Sequence, residues 1–329
     1  MTIPENDAIL DSLEDLLDVL DLEPASSAHI TDGPAGDKDS DPGDSDLDDS
    51  DLGDSDADVF IGRSQPMPHG RVFGGQVLAQ SVIAAGRTVE DLPDAADRPR
   101  RIHSLHGYFL RPGDSSRPIR FAVERLRDGH SFSARRVHAI QNGKPILSMI
   151  TSFQTDASGL DHQDPMPAAP DPESLKTLAE EFAGIDHPVA NFWSRVKAID
   201  LRHVDEAIYI RPWRALAAQQ SVWLKAIGQM PDDPLVHAAV LAYCSDYSLL
   251  EPVLRRHGLA WSDRRLRVAS LDHAMWFHRP GRADDWTLYT QSAPSASSGR
   301  GLAAGRMFNT DGLLLASVAQ EGMIRLKES

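Results

Sequence analysis

The sequence predicts an α+β fold made of two tandem copies of one unit, each a long helix embedded in an antiparallel sheet. Three observations carry this expectation. Two stretches, 73–89 and 236–250, place small and apolar residues at helical spacing. The segments after the first of them alternate as half-buried strands do: Ile119, Phe121 and Val123, then Leu147, Met149, Thr151 and Phe153. Finally, the chain repeats itself. Phe109-Leu-Arg-Pro-Gly recurs as Phe277-His-Arg-Pro-Gly at an offset of 168, Asn142-Gly143 as Asp311-Gly312 at 169, and Gln154 as Gln320 at 166. So small a drift over more than 40 positions points to duplication.

In chain order, residues 8–22 place Ile9, Leu13, Leu16, Leu17 and Leu20 on one helical face and acids on the other, which predicts a short helix docked on a core. Residues 27–58 form an Asp/Ser/Gly/Pro tract with too little apolar matter to fold and read as a solvated spacer. Asp44, Asp46 and Asp48 imitate the spacing of a calcium loop, but its glycine and closing glutamate are missing, so no calcium is expected. Val77, Ser81, Ala84, Ala85 and Thr88 mark the first long helix. Gly74 and Gly75 at its start either let it pack tightly against a sheet, the favoured reading, or bring amides near an anion. Strands are expected at 102–110, 119–126, 131–141 and 145–154, with hairpin turns at Asp128-Gly129 and Asn142-Gly143. A Pro- and Asp-rich linker follows over 156–175, then a short surface helix over 175–184. The second unit starts near Asp205, with strands near 206–212, 219–226, 266–278, 286–293, 299–309 and 313–320.

Composition excludes several classes. The chain has 329 residues and a single cysteine, Cys244, which rules out an internal disulfide and points to a reducing compartment; a cytoplasmic protein is expected. No apolar run approaches the length of a membrane span, and the acidic N-terminus does not read as a secretory signal. Residues 1–58 hold 20 of the 49 acids and one of the 33 bases, a charge of −19 within the total of −16; residues 59–329 are left at +3. The folded part is slightly basic, which suits an anionic small molecule, and it lacks the basic stripe of a nucleic-acid binder.

The residue that invites chemistry is Asp246. On a continuous helix over Val236–Leu250 its neighbours one turn away are Ala242, Tyr243, Leu249 and Leu250, so an ionised carboxylate there costs several kcal/mol unless donors or a cation compensate it. The residues alone leave a structural ion pair and a catalytic role both open. Cys244 is expected to be a small core residue, since a helix turns its side chain well away from Asp246. No Gly-x-Ser-x-Gly elbow is present. Asp272, His273 and His278 read as strand polarity beside a Trp276-Phe277 core pair, and no metal is expected. Arg111 and Arg279 are related by the repeat, and holding equivalent turns is favoured over reaching phosphates. The run Ser295–Gly301 is either a strand entrance or an edge that touches a ligand.

Five short motifs in one order then become recognisable: Phe73-Gly-Gly-Gln, Leu241-Ala-Tyr-Cys-Ser-Asp246, Ser270-Leu-Asp-His-Ala-Met-Trp-Phe-His-Arg-Pro280, Ser295-Ala-Ser-Ser-Gly-Arg-Gly301 and Val318-Ala-Gln-Glu-Gly322. Together they resemble the acyl-CoA thioesterase II (TesB-like) family over about residues 8–26 and 59–325. The resemblance implies a double hotdog fold, in which each long helix is wrapped by an antiparallel sheet, and hydrolysis of fatty acyl-CoA to a free acid and CoA. It implies a catalytic trio of Asp246, Ser270 and Gln320, serine standing where threonine is common in the family. It also implies a homo-oligomer. No cofactor, metal, nucleic acid or membrane partner is expected. The expected organisation is an N-terminal helix (1–26), the acidic insert (27–58), a first hotdog (59–155), a linker (156–204) and a second hotdog carrying the site (205–329). The alternatives are a hotdog enoyl-CoA hydratase or dehydratase, which needs a histidine paired with its carboxylate, and a non-catalytic acyl-CoA binder.

Overall fold

The structure, a computed structural model, describes residues 13–25, 57–67, 70–187, 190–191 and 198–327. The tract 27–58, including Asp44, Asp46 and Asp48, lies outside the described residues except for its last two. In chain order the elements are α1 (Leu13–Leu20), β1 (Glu23–Ala25), β2 (Asp58–Gly62), α2 (Gly74–Glu90), β3 (Arg100–Phe109), β4 (Ile119–Asp128), β5 (Phe132–Gln141), β6 (Lys144–Thr155), α3 (Leu178–Glu181), β7 (Ile199–His203), β8 (Gln219–Ala226), α4 (Pro234–Ser245), α5 (Glu251–Arg256), β9 (Leu266–Ser270), β10 (Asp272–Phe277), β11 (Thr287–Ser297), β12 (Arg300–Asn309) and β13 (Leu314–Leu326).

The strands join in one antiparallel sheet in the order β1-β2-β4-β5-β6-β3-β10-β13-β12-β11-β8-β7, with β9 beside β13. Each half wraps its own helix, and the halves meet where β3 pairs with β10, from Tyr108 opposite Asp272 to Ser104 opposite Trp276. This is the double hotdog the motifs imply. The alternation is obeyed: Ile119, Phe121 and Val123 are fully buried, as are Leu147 and Thr151. Each fully buried large apolar side chain contributes about 1.5–3 kcal/mol relative to exposure.

Helix α2 is buried around nearly its whole circumference, because its only charged residues, Arg87 and Glu90, fall in the last turn. It packs antiparallel on α4. A Cβ on Gly75 would stand 2.4 Å from the Tyr243 carbonyl, and one on Gly86 would stand 2.4 Å from the Leu235 side chain. The first turn of α2 therefore meets the last turn of α4, and the reverse holds at the other end.

Four expectations are corrected. The helix expected over 236–250 spans Pro234–Ser245 and resumes as α5. Ser245 turns its hydroxyl back towards the Ala242 carbonyl, and Pro252 has no N–H to continue a ladder across the gap. The stretch 206–212 is not a strand. Ile208 and Tyr209 are adjacent and both buried, which breaks alternation, and their carbonyls accept from the Trp261 and Ser262 amides. Of the surface helix expected over 175–184, only α3 forms, closed by a Thr177–Glu180 capping box. The strand expected over 266–278 breaks at Leu271 into β9 and β10.

The repeat also needs a new register. Leu147 lies opposite Phe109 and Ala316 opposite Phe277, so β6 maps onto β13 at an offset of 169. The first-half counterpart of Gln320 is accordingly Thr151, not Gln154.

Candidate active site

Asp246 caps the C-terminus of α4. An anion is disfavoured at the end of its own helix, but here it faces the start of α2, where helix-dipole and amide donors favour it. Phe73, the N-cap of α2, makes no side-chain capping bond. The Gly75 amide donates to the Asp246 carboxylate instead. Gly74 lies so close that a Cβ there would stand 2.7 Å from Asp246 Oδ2 and 3.0 Å from the Phe109 ring. Both readings of the glycine pair thus hold at once: the helix enters tightly packed, and the anion near its first amides is the other half's carboxylate.

Ser270 ends β9 opposite Gly322 of β13, and Gln320 lies two residues earlier on β13. The Gln320 amide Nε2 donates to Asp246 Oδ1 at 2.8 Å and to Ser270 Oγ at 2.7 Å; Ser270 Oγ in turn donates to Asp246 Oδ1 at 3.4 Å. All three expected residues meet at one point. Gln320 is buried, while Asp246 and Ser270 are half-buried, so the point is reachable from solvent although protein closely surrounds the carboxylate. Burial raises the Asp246 pKa to about 6, against the lowering effect of bonds from Gln320, Gly75 and Ser270. A half-ionised carboxyl near pH 6 suits a general base working near neutrality.

Behind Gln320 stand two groups that sequence reasoning left out of the site. His273 Nδ1 lies 2.9 Å from Gln320 Oε1, and His273 Nε2 lies 2.8 Å from Ser245 Oγ. The break at Leu271 makes this possible. In an unbroken strand residues 270 and 273 face opposite sides, whereas the irregularity turns both Ser270 and His273 towards Gln320. Burial lowers the His273 pKa to about 4, so the ring is neutral at physiological pH. The only local signal was Ser245 adjoining Asp246 and His273 lying three residues after Ser270.

The other candidates resolve as follows. Asp272 Oδ1 accepts from the Glu321 amide at 2.7 Å, a bond that bridges the irregularity at Leu271. His278 meets Ser317 at the surface, and no group of metal-ligating side chains occurs among the described residues. Trp276 is not a core residue: it is exposed and packs edge-on against His106. Cys244 is buried. Arg111 donates to the Pro145 carbonyl and Arg279 to the Leu314 carbonyl, so each holds the equivalent turn of its half. The run Ser295–Gly301 forms the β11–β12 hairpin, with Ser298 and Gly299 at positive φ in the turn.

Comparison with known proteins follows the same two-part division. A family profile described as acyl-CoA thioesterase matches residues 203–323, and one described as the acyl-CoA thioesterase N-terminal domain matches 63–154. Human acyl-coenzyme A thioesterase 8 is 38% identical over 284 residues, covering 82% of this chain and 85% of the human protein. Acyl-CoA thioesterase 2 of Haemophilus influenzae is 36% identical over 277 residues, covering 82% of this chain and 93% of its own. Among solved structures, acyl-CoA thioesterase II of Mycobacterium marinum is 39% identical with a TM-score of 0.68, covering 95% of this chain and 99% of that one. A hot dog fold protein from Alicyclobacillus acidocaldarius, at 17% identity and a TM-score of 0.65, shares the fold.

Proposed function

The chain belongs to the acyl-CoA thioesterase II family, and from that premise we propose that it hydrolyses fatty acyl-CoA through a water molecule activated by Asp246 and held by Ser270 and Gln320. The observation that carries this reading is the convergence of the Gln320 amide and the Ser270 hydroxyl on one oxygen of a carboxylate that keeps access to solvent. Ionised Asp246 accepts a proton from water as the water oxygen attacks the thioester carbonyl carbon. The start of α2, whose dipole already faces Asp246, lies beside the reacting centre and favours the negative charge that develops on the thioester oxygen. Collapse of the tetrahedral intermediate breaks the C–S bond. The CoA thiolate leaves and takes up the proton, and the fatty acid remains.

Enoyl-CoA hydration requires a histidine against the carboxylate. His273 is separated from Asp246 by Gln320 and is held neutral, which disfavours that alternative. A cytoplasmic enzyme fits the single reduced cysteine. A homo-oligomer fits the outer sheet face, where Tyr108, Ile150 and Trp276 are exposed around the seam between the halves. No helix among the described residues is long and apolar enough to cross a membrane.

The test is thiol release from a panel of acyl-CoA chain lengths by wild type and Asp246→Ala. Loss of about 10²–10⁴-fold in kcat with the fold retained is the expected result; undiminished turnover by the variant removes Asp246 from the mechanism.

A further inference from the structure

The hydrogen bonds around Gln320 form a chain with a direction. One end is Asp246 Oδ1, an acceptor when ionised, and the other is Ser245 Oγ, with Gln320 and His273 between them. The Gln320 amide spends its two N–H groups on Asp246 and Ser270, so its Oε1 can only accept. What lies 2.9 Å from that oxygen is His273 Nδ1. A neutral imidazole has one N–H, so Nδ1 must carry it and Nε2 is left an acceptor; the single Ser245 hydroxyl proton lies between two acceptors, Nε2 at 2.8 Å and the Ala242 carbonyl at 2.7 Å, and is shared between them. The other tautomer would set a nitrogen lone pair against Gln320 Oε1 or force the amide to flip, turning its oxygen onto the Asp246 carboxylate.

We propose that His273, supported by Ser245, is a positioning residue that locks the side-chain amide of Gln320 with its NH₂ towards Asp246 and Ser270, the two groups that meet the attacking water. The inference rests on the reading of Asp246 and Gln320 given above. It matters because Asp246 changes charge during turnover. While ionised it orients Gln320 by itself. Once it has taken the proton from water it is a donor, and an unrestrained amide is free to turn its oxygen to meet it. The His273 Nδ1–H keeps the amide in the same orientation through both states. His273 lies between β13 and β3, where Gly107 stands opposite it, and it faces Ser245 at the end of α4; the acid nearest in the chain of contacts is Asp246 itself, beyond Gln320. The first half lacks the device. Leu105 and Thr151 stand at the register positions of His273 and Gln320.

The test compares His273→Asn with His273→Leu in the full chain. An asparagine amide nitrogen reaches roughly where Nδ1 stands and donates to Gln320 Oε1. Leucine fills the pocket and donates nothing. The expected result is that Leu lowers kcat by about 30-fold or more with KM changed less than about threefold, whereas Asn restores kcat to within about fivefold. Stability should rank the other way, since Asn leaves a cavity that Leu fills. The acid limb of the kcat/KM profile should also move up from about 6 in the Leu variant, because a misturned Gln320 no longer stabilises ionised Asp246. If activity follows stability instead, with Leu better than Asn, the proposal is wrong. Should His273→Leu not fold, Ser245→Ala reads the same chain from its far end. A fall in kcat with an upward shift of the acid limb supports the lock, and a wild-type profile overturns it. Asp246→Asn separates the two levels. A dead Asp246→Asn beside a fully active His273→Leu removes only the lock, while an active Asp246→Asn removes the underlying reading.

Discussion

The two ends of the α2–α4 helix pair are built from the same duplicated parts and do opposite things with them. At one end α2 begins with Phe73, which caps nothing, and its Gly75 amide goes to Asp246 from the other half. At the other end α4 begins with Asp233, whose own carboxylate accepts from the Leu235 and Val236 amides at 2.8 and 3.4 Å. One helix start lacks a side-chain cap of its own and receives the carboxylate of the other half; the other is closed by its own cap. The helices differ as well. Helix α2 runs unbroken for 17 residues, while its counterpart stops after 12 at Ser245, and the stop delivers Asp246 to the seam. The duplicated fold therefore needs neither the break nor the carboxylate. Both belong to the proposed site.

The largest effect that tests this contrast is that of Asp246→Asn. Activity should fall about 10²–10⁴-fold, while stability moves the opposite way. A carboxyl whose folded pKa is about 6, above the ordinary 3.8, binds its proton more tightly in the native state. Its ionisation therefore erodes stability as pH rises from about 4 to 6, by at most about 3 kcal/mol once fully ionised. The asparagine variant should be more stable than wild type at pH 7 and show no such gain near pH 4. Denaturant unfolding at the two pH values measures it, and equal differences at both would mean that the Asp246 charge is not strained. In the wild type, kcat/KM should rise with pH through about 6 as the base ionises.

The next effect in size sets Gly74 against Gly86. An alanine methyl at 74 would press on the Asp246 carboxylate and the Phe109 ring, while one at 86 would press on the Leu235 side chain. Displacing a catalytic group by about 1 Å costs on the order of 10² in rate. Gly74→Ala should therefore lose about that much kcat. Gly86→Ala should lose stability through overpacking, about 1–3 kcal/mol, with kcat nearly unchanged. Equal kcat losses in both variants would show that the two ends are not distinct.

Much of this was legible in the sequence, and what was not has a common cause. Strands β4, β5 and β6 follow directly from alternation and Asn/Asp-Gly turns, since those signals are local. The trio Asp246, Ser270 and Gln320 came from motif resemblance, and the structure brings these residues together. What local pattern does not encode is where one element ends in response to another. The break at Leu271 and the stop at Ser245 depend on side-chain bonds to partners 28–49 residues away, namely Ser245 to His273 and Asp272 to Glu321. His273 looked like ordinary strand polarity because its orientation follows from that break. The Gln154–Gln320 pairing failed for a related reason: matching letters shared a near-constant offset, but only the hydrogen-bond register shows that Thr151 holds the equivalent place.

The smallest effect is expected at the closed end, and it is the cleanest check on the asymmetry. Asp233→Ala removes the side-chain acceptor from the first turn of α4 and should cost about 1 kcal/mol. It also removes a like charge from Glu90, whose carboxyl is pushed up first by burial and next by Asp233. Asp233→Asn separates these two consequences. The amide oxygen still caps the helix, so stability should stay within a few tenths of a kcal/mol, while the Glu90 pKa falls as the neighbouring charge is lost. Neither variant should change kcat by more than about twofold, because no reacting group stands at this end. Thiol release and denaturant unfolding on both variants supply the comparison. A loss of turnover approaching that of Asp246→Asn would mean that the second helix start also serves the reaction, and the molecule would then have to be regarded as a two-site enzyme.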